Sequence, residues 1–283
     1  MIHNNDQFTI ADVKQLALRQ WSHLESVASL DIEIIIAEVC QLSRSVCYAF
    51  PDRSITSKQY ELIEQYVSRR AQGEPLAYLL GKKEFWSLEF KVTPATLVPR
   101  PETECLVEWV LAQNDTKTDL QVADLGTGSG AIAVALATER PAWKIDAVDQ
   151  SVEALRIAQH NVKKHSCSGV SCIQGSWCHA LPCHNYNLII SNPPYIDPAD
   201  QCLEVLQFEP ISALAAEQKG LADIAMIIQQ APDYLQAKGH CVIEHGATQA
   251  ESVRDLMRQV GFITIKSLPD LSGLDRFTVG VIA

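Results

Sequence analysis

The chain reads as an α/β protein, a doubly wound parallel sheet preceded by a helical bundle and a short hairpin. Three observations predict this. From residue 120 onward, apolar runs of strand length alternate with amphipathic stretches of helix length, the pattern of a parallel sheet covered by crossover helices. The first 72 residues carry their apolar side chains at helical spacing instead. Between the two lies residues 84–92, aromatic and roughly alternating, the signature of a hairpin.

Each element follows from local chemistry. Thr9 opens a first helix, with Asp12 three residues on as in a capping box, then Val13, Leu16, Ala17 and Gln20-Trp21 at helical intervals. A second runs from Leu30 to Leu42, with Ile32, Ile35, Ile36, Val39 and Cys40 on one side. A third runs from Ser57 to Gln72, with Tyr60, Ile63, Val67 and Ala71 inward and Gly73 placed to end it. After the hairpin, Pro101 leads a helix through Ala112, its first turn acidic at Glu102 and Glu104, as the helix dipole favours. Strands are expected at 121–125, 144–149, 170–174, 187–191, 240–244, 263–267 and 276–281, and helices near 129–140, 152–165, 221–236 and 248–260. The division expected is a helical bundle over 1–73, a linker with the hairpin over 74–100 and a catalytic domain over 101–283.

Bulk composition narrows the classes. A chain of 283 residues, 47% hydrophobic and 20% charged, has ample material for a globular core. No apolar stretch is long enough to cross a bilayer. The opening residues, Met1 to Gln7, lack the basic and apolar regions of a secretory signal, so a cytoplasmic protein is expected. Nine cysteines, an odd count, suit reduced thiols better than a disulfide framework. Cys167, Cys172, Cys178 and Cys183 bunch near His165, His179 and His184 without the paired spacing of a structural zinc site, so no metal is expected. The net charge of −11 is concentrated in residues 101–283, with 12 basic and 22 acidic side chains. A phosphate backbone would be repelled by such a domain, which weighs against nucleic acid as partner.

The most telling residues are Asn192-Pro193-Pro194-Tyr195, directly after the apolar run Leu188-Ile189-Ile190-Ser191. They sit at the carboxyl end of a buried strand, where open α/β sheets bind ligands. Two prolines stiffen the turn and remove its backbone donors. What remains are carbonyl oxygens, one side-chain amide and one aromatic face, a set suited to holding a planar group that bears an NH2. That points to chemistry at an amide or an exocyclic amine.

A second motif supplies a cofactor site. Val122-Ala123-Asp124-Leu125 runs into Gly126-Thr127-Gly128-Ser129-Gly130-Ala131 and a helix, so the glycines allow a tight turn and close approach of a ligand to a helix N-terminus. The spacing also satisfies the looser dinucleotide fingerprint, and the loop alone does not separate nicotinamide or flavin from other adenosyl cofactors. Asp149 ends the next strand, placed to accept from ribose hydroxyls. The Asn-Pro-Pro-Tyr turn discriminates between them. A dehydrogenase needs an acid/base group that this turn does not offer, whereas S-adenosylmethionine brings its own electrophile, a sulfonium methyl, and needs only an aligned nucleophile.

Together, residues 124–130, Asp149 and residues 192–195 resemble class I S-adenosylmethionine-dependent methyltransferases acting on nitrogen, whose fold is a Rossmann-like, mostly parallel seven-stranded sheet. More specifically, Gly73-Glu74-Pro75-Leu76, Gly81, Glu84-Phe85, Pro94, residues 99–104, Phe208-Glu209-Pro210 and Glu244-His245-Gly246 resemble the HemK/PrmC family over nearly the whole chain. The resemblance implies a protein-(glutamine-N5) methyltransferase acting on the Gly-Gly-Gln loop of class I peptide chain release factors. It implies that Asp124, Gly126, Thr127, Gly128, Ser129, Gly130, Asp149, Trp177 and Asn192 contact the cofactor. It assigns Asn192, Pro193, Pro194 and Tyr195 to the substrate glutamine. The chemistry of the motif itself makes Asn192, Pro193 and Tyr195 the catalytic candidates. One departure stands out: Ser176 occupies a position where relatives commonly carry an acid, so adenine recognition there lacks charge assistance. The alternative reading is methylation of an exocyclic amine of DNA or RNA after base flipping.

Overall fold

The computed structural model describes residues 8–21, 29–114 and 119–283, and the chain forms two compact units, Met1–Gly81 and Lys82–Ala283. The first seven residues, read above as lacking a secretory signal, lie outside the described residues. Among the described residues no helix is long and apolar enough to cross a membrane.

The first unit is helical: α1 (Ile10–Gln20), α2 (Ser29–Cys40), α3 (Arg44–Ala49), α4 (Ser57–Ala71) and α5 (Leu76–Leu80). The Thr9 hydroxyl accepts from Asp12 N at 3.2 Å, and the Asp12 carboxylate accepts from Thr9 N at 3.0 Å, completing the expected capping box. Thr56 and Gln59 cap α4 in the same way. Ile32, Ile35 and Ile63 form the centre of the core, and the Trp21 indole donates to Val67 O at 3.0 Å. Leu16 departs from the expected stripe and is exposed, because α1 buries only its Ile10, Val13 and Ala17 face. The helices α3 and α5 were not legible in advance; six and five residues hold less than two turns, too short to display a period.

The second unit begins with the hairpin, β1 (Lys82–Phe85) and β2 (Leu88–Lys91), turned by Trp86 and Ser87 in the left-handed region. The stretch expected to act as a linker is therefore divided, α5 falling in the first unit and the hairpin in the second. Packing explains the division. Phe85 and Phe90 are buried edge to face, 6.0 Å apart, in the core of the second unit. Asn161 also bonds both Lys91 N (2.8 Å) and Lys91 O (3.0 Å) while donating to Ser129 O at 2.8 Å.

Then follow α6 (Pro101–Gln113), β3 (Gln121–Leu125), α7 (Ala131–Glu139), β4 (Lys144–Asp149), α8 (Val152–Lys164), β5 (Val170–Gln174) and β6 (Tyr186–Ser191). After two short turns, α9 (Cys202–Val205) and α10 (Glu217–Gly220), come α11 (Ala222–Tyr234), β7 (Leu235–Glu244), α12 (Ala250–Gln259), β8 (Ile263–Pro269) and β9 (Asp275–Val281). The seven strands of the main sheet cover the expected positions, except that β7 begins at Leu235, five residues early and inside the stretch expected to be helical; their order is β5-β4-β3-β6-β7-β9-β8. The first five are parallel and β9 runs antiparallel between β7 and β8. Side chains alternate between faces: Val122, Leu188 and Ile190 join one core, and Ala123, Leu125 and Ile189 the other.

Strand order reverses at β3, which lies between β4 and β6. Leu125 pairs with Val148 on one side and Ser191 on the other, so the turns after residues 125, 149 and 191 emerge side by side. That is the switch point at which open α/β sheets place their ligands. Residues 192–220 are a folded segment rather than a loop, pinned by a bridge between Ile196 and Ala215.

Candidate functional site

The glycine turn is held from below. Gly126 N and Thr127 N both donate to Val148 O, at 2.8 and 2.9 Å, tying the turn after β3 to β4. Gly126, Gly128 and Gly130 have φ of +72°, +57° and +81°, the region that favours glycine. At two of these the missing side chain is also a matter of space. A Cβ on Gly126 would stand 3.2 Å from the Trp177 ring, and one on Gly130 would stand 3.3 Å from Ala158 Cβ.

Asp124 and Asp149 serve the turn differently. Asp124 is fully buried; its Oδ2 accepts from Thr127 Oγ1 at 2.6 Å and Ala133 N at 3.2 Å, while Oδ1 has no partner. Burial pushes its carboxyl up to about 6. Asp149 Oδ2 accepts from Gly128 N and Oδ1 from Ser151 N, both at 2.9 Å. Its pKa is raised by burial, against the pull of these backbone N–H groups.

A cavity of about 290 Å3 opens beside the turn, near the roughly 300 Å3 at which small-molecule sites begin. It is lined by Gly126, Thr127, Gly128, Ser129, Asp149, Trp177, Asn192 and Pro194 among the residues singled out from sequence. Asp124, Gly130, Pro193 and Tyr195 are not in its lining; the first two brace the turn from behind. Ser176 and the half-buried Trp177 line it where β5 passes into a short 3-10 turn. The lining suits an adenosyl cofactor through the close backbone approach that the glycines allow, an acid at the end of β4 and an indole face; the N–H groups of Gly126, Gly128 and Gly130 are themselves committed to Val148 O, Asp149 Oδ2 and Thr127 O. Among the described residues no group of three or more His, Cys, Asp or Glu is arranged to hold a metal ion.

The Asn-Pro-Pro-Tyr turn completes the rim. Asn192 Nδ2 donates to Thr103 Oγ1 at 3.1 Å. Among the described residues no group donates to Asn192 Oδ1 or to the Pro193 carbonyl. Tyr195 N donates to Leu214 O at 3.2 Å, and Gln249 Nε2 donates to Tyr195 O at 3.0 Å, which fixes the end of the turn. Outside the turn, the buried Glu209 accepts from Val98 N at 2.9 Å and from Arg100 at 2.5 Å, joining two walls of the cavity.

Two residues of this network entered the sequence reading only as parts of the family motifs, with no chemical role assigned. Thr103 and Glu244 stand 141 positions apart and meet at 2.8 Å, Thr103 Oγ1 donating to Glu244 Oε2. In the sequence Glu244 is marked by the Glu244-His245-Gly246 motif and by closing the apolar run Cys241-Val242-Ile243, and neither signal gives it a task.

Comparison with known proteins agrees with this geometry. Residues 17–81 match the model of the PrmC N-terminal domain, and residues 102–266 match that of the methyltransferase small domain. A release factor glutamine methyltransferase of Coxiella burnetii is 46% identical over 92% of this chain and 94% of its own. One of Shewanella oneidensis is 40% identical over 97% of this chain and 96% of its own. The crystal structure of a methyltransferase from Pyrococcus furiosus shares the fold, with a TM-score of 0.54 at 15% identity, over 77% of this chain and 98% of that one. The chain belongs to the family of release factor glutamine methyltransferases.

Proposed function

We propose that this protein transfers a methyl group from S-adenosylmethionine to the side-chain amide nitrogen of the glutamine in the Gly-Gly-Gln loop of class I peptide chain release factors. One observation carries the reading. Asn192, on the cavity wall beside the glycine turn, commits Nδ2 to Thr103 and leaves Oδ1 open. The Pro193 carbonyl follows it, also without a donor among the described residues.

When bound, the cofactor supplies an activated methyl group on a sulfonium. Gly126, Thr127, Gly128, Ser129, Asp149 and Trp177 would hold it, with Asp124 and Gly130 shaping the turn behind them. Ser176, on the same wall, would offer the adenine a hydroxyl.

The remaining work concerns the amide. Its nitrogen is a poor nucleophile because the lone pair is shared with the carbonyl, and breaking that conjugation fully costs about 18–20 kcal/mol. Alignment of donor and acceptor removes roughly 7–11 kcal/mol of barrier. Asn192 Oδ1 and Pro193 O would accept the two amide protons and draw them out of plane. Those hydrogen bonds strengthen as positive charge develops on nitrogen, which is the differential binding that catalysis requires. Tyr195 would keep the amide plane oriented, and the product proton leaves to water.

The helical unit, with Tyr48 and Phe50 exposed on and after α3, would grip the protein substrate. A substrate that serves the ribosome puts the enzyme in the cytoplasm. The acidic balance of residues 101–283 supports a protein substrate over the exocyclic amine of a nucleic acid. The test is incubation with cofactor and either a release factor or nucleic acid, followed by peptide mass spectrometry. One methyl group on the Gly-Gly-Gln glutamine is expected; transfer to nucleic acid alone would overturn the reading.

A further inference from the structure

The open Oδ1 of Asn192 depends on which way its amide is turned, and a chain of hydrogen bonds settles that. Glu244 closes β7, 1% exposed, paired with Phe277 across β9. Its Oε2 accepts the only proton of the Thr103 hydroxyl at 2.8 Å. Thr103, in the first turn of α6, is 4% exposed. With that proton committed, Thr103 Oγ1 is left to accept, and it accepts from Asn192 Nδ2 at 3.1 Å. The amide therefore presents its oxygen on the opposite side. The second carboxylate oxygen, Oε1, receives the Tyr195 hydroxyl at 3.5 Å, so one acid reaches both ends of the Asn-Pro-Pro-Tyr turn.

We propose that Glu244 is a positioning residue for the reaction, setting the amide of Asn192 through the Thr103 hydroxyl. This rests on the methyl-transfer reading above and extends it to a residue that touches neither substrate nor cofactor. Without the carboxylate, the Thr103 proton is free to turn toward Asn192, which would then accept from it and rotate its NH2 outward. A substrate amide would meet a donor where it needs an acceptor. The loss falls on the transition state, since the bond to Asn192 Oδ1 matters most as charge builds on the substrate nitrogen.

The test compares Glu244→Gln, whose amide can present either a donor or an acceptor to Thr103, with Thr103→Val and Thr103→Ser. Methyl transfer to release factor should fall by about ten-fold or more in kcat for Glu244→Gln and Thr103→Val, while KM for release factor and the cofactor Kd stay within about two-fold. Thr103→Ser keeps the hydroxyl and should restore the turnover that Thr103→Val loses. Equal losses in kcat and cofactor affinity, or a Thr103→Ser variant as slow as Thr103→Val, would overturn the proposal.

A second readout needs no turnover. The Asn192 side-chain NH2, assigned in 15N–1H spectra by its loss in Asn192→Asp, should give one dispersed pair in the native protein and an averaged or doubled pair in Glu244→Gln and Thr103→Val. An unchanged pair in both variants overturns the role of Glu244 whether or not the protein methylates release factors. Native protein that transfers no methyl group to a release factor overturns the functional reading instead.

Discussion

The Asp149 carboxylate receives the backbone N–H of Gly128 at 2.9 Å, so the acid that ends β4 also shapes the turn that follows β3. Its other oxygen receives Ser151 N, also at 2.9 Å. The acid expected to serve a ribose thus already holds two backbone groups, while it also lines the cavity. Asp149→Asn keeps one acceptor and turns an NH2 toward one of the two N–H donors. An unpaired buried donor costs about 1–3 kcal/mol, so cofactor affinity should fall roughly 5- to 150-fold by calorimetry. A variant that binds cofactor like the native protein would show that the turn does not depend on Asp149.

Among the described glycines Gly220 stands closest to its neighbours, behind the Asn-Pro-Pro-Tyr turn. Its φ is +79°, and a Cβ there would stand 1.9 Å from Tyr195 O, the carbonyl that Gln249 clamps. Gly261, at φ +93°, has nothing within 4 Å of the same position. Gly261→Ala should therefore show only the left-handed backbone cost, about 1–2 kcal/mol. Gly220→Ala should lose more stability than that in thermal unfolding, and turnover with it, because the Tyr195 carbonyl must move.

Asn192 and Tyr195 separate orientation from binding. Asn192→Ala should cut kcat far more than cofactor affinity, by about 10²–10³-fold if its oxygen acts like other charge-stabilising groups. Tyr195→Phe should be milder than Tyr195→Ala, since the hydroxyl reaches Glu244 only at 3.5 Å while the ring remains. Steady-state kinetics with release factor as the varied substrate decides both.

Stability should carry a trace of Glu244 between about pH 4.5 and 7. Burial pushes this carboxyl from 4.5 up to about 7, against hydrogen bonding from Thr103 and the charge of Arg276; Glu102 pushes the same way as burial, and Tyr195 pulls it down. A carboxyl whose folded-state pKa lies above its unfolded value holds its proton more tightly when folded. Its contribution is present below the unfolded pKa and is lost as pH rises through the folded one. Asp124, raised to about 6, acts in the same sense. His240 and His245, lowered by burial, act in the opposite sense below 6.5. The native protein should therefore lose more Tm than Glu244→Gln on going from about pH 5 to pH 8. Parallel curves would mean that Glu244 does not titrate in that window.

Much of the scaffold was legible because it is written in local periods. The seven strands of residues 121–281 announced themselves as apolar runs, α1 by its capping box, and α4 by its apolar stripe and the glycine that ends it. The glycine turn was readable from residue types alone, since a run of three glycines between a strand and a helix has few uses. Leu16 was misplaced because a helical stripe says which residues share a side, not how wide the neighbouring helices make the contact. The hairpin was recognised, yet its unit was not. Its docking depends on Asn161, 70 residues from Lys91.

By itself, the amino-acid sequence determined the alternation of strands and helices, the glycine turn and the stiff Asn-Pro-Pro-Tyr rim, because each arises from neighbours along the chain. The strand order that brings residues 125, 149 and 191 together, the hairpin held by Asn161 and the line from Glu244 through Thr103 to Asn192 were decided by tertiary structure alone. Their partners lie scores of residues apart, and a hydrogen bond across such a distance leaves no period in sequence. It exists only once packing has brought donor and acceptor within reach and excluded the water that would compete for them.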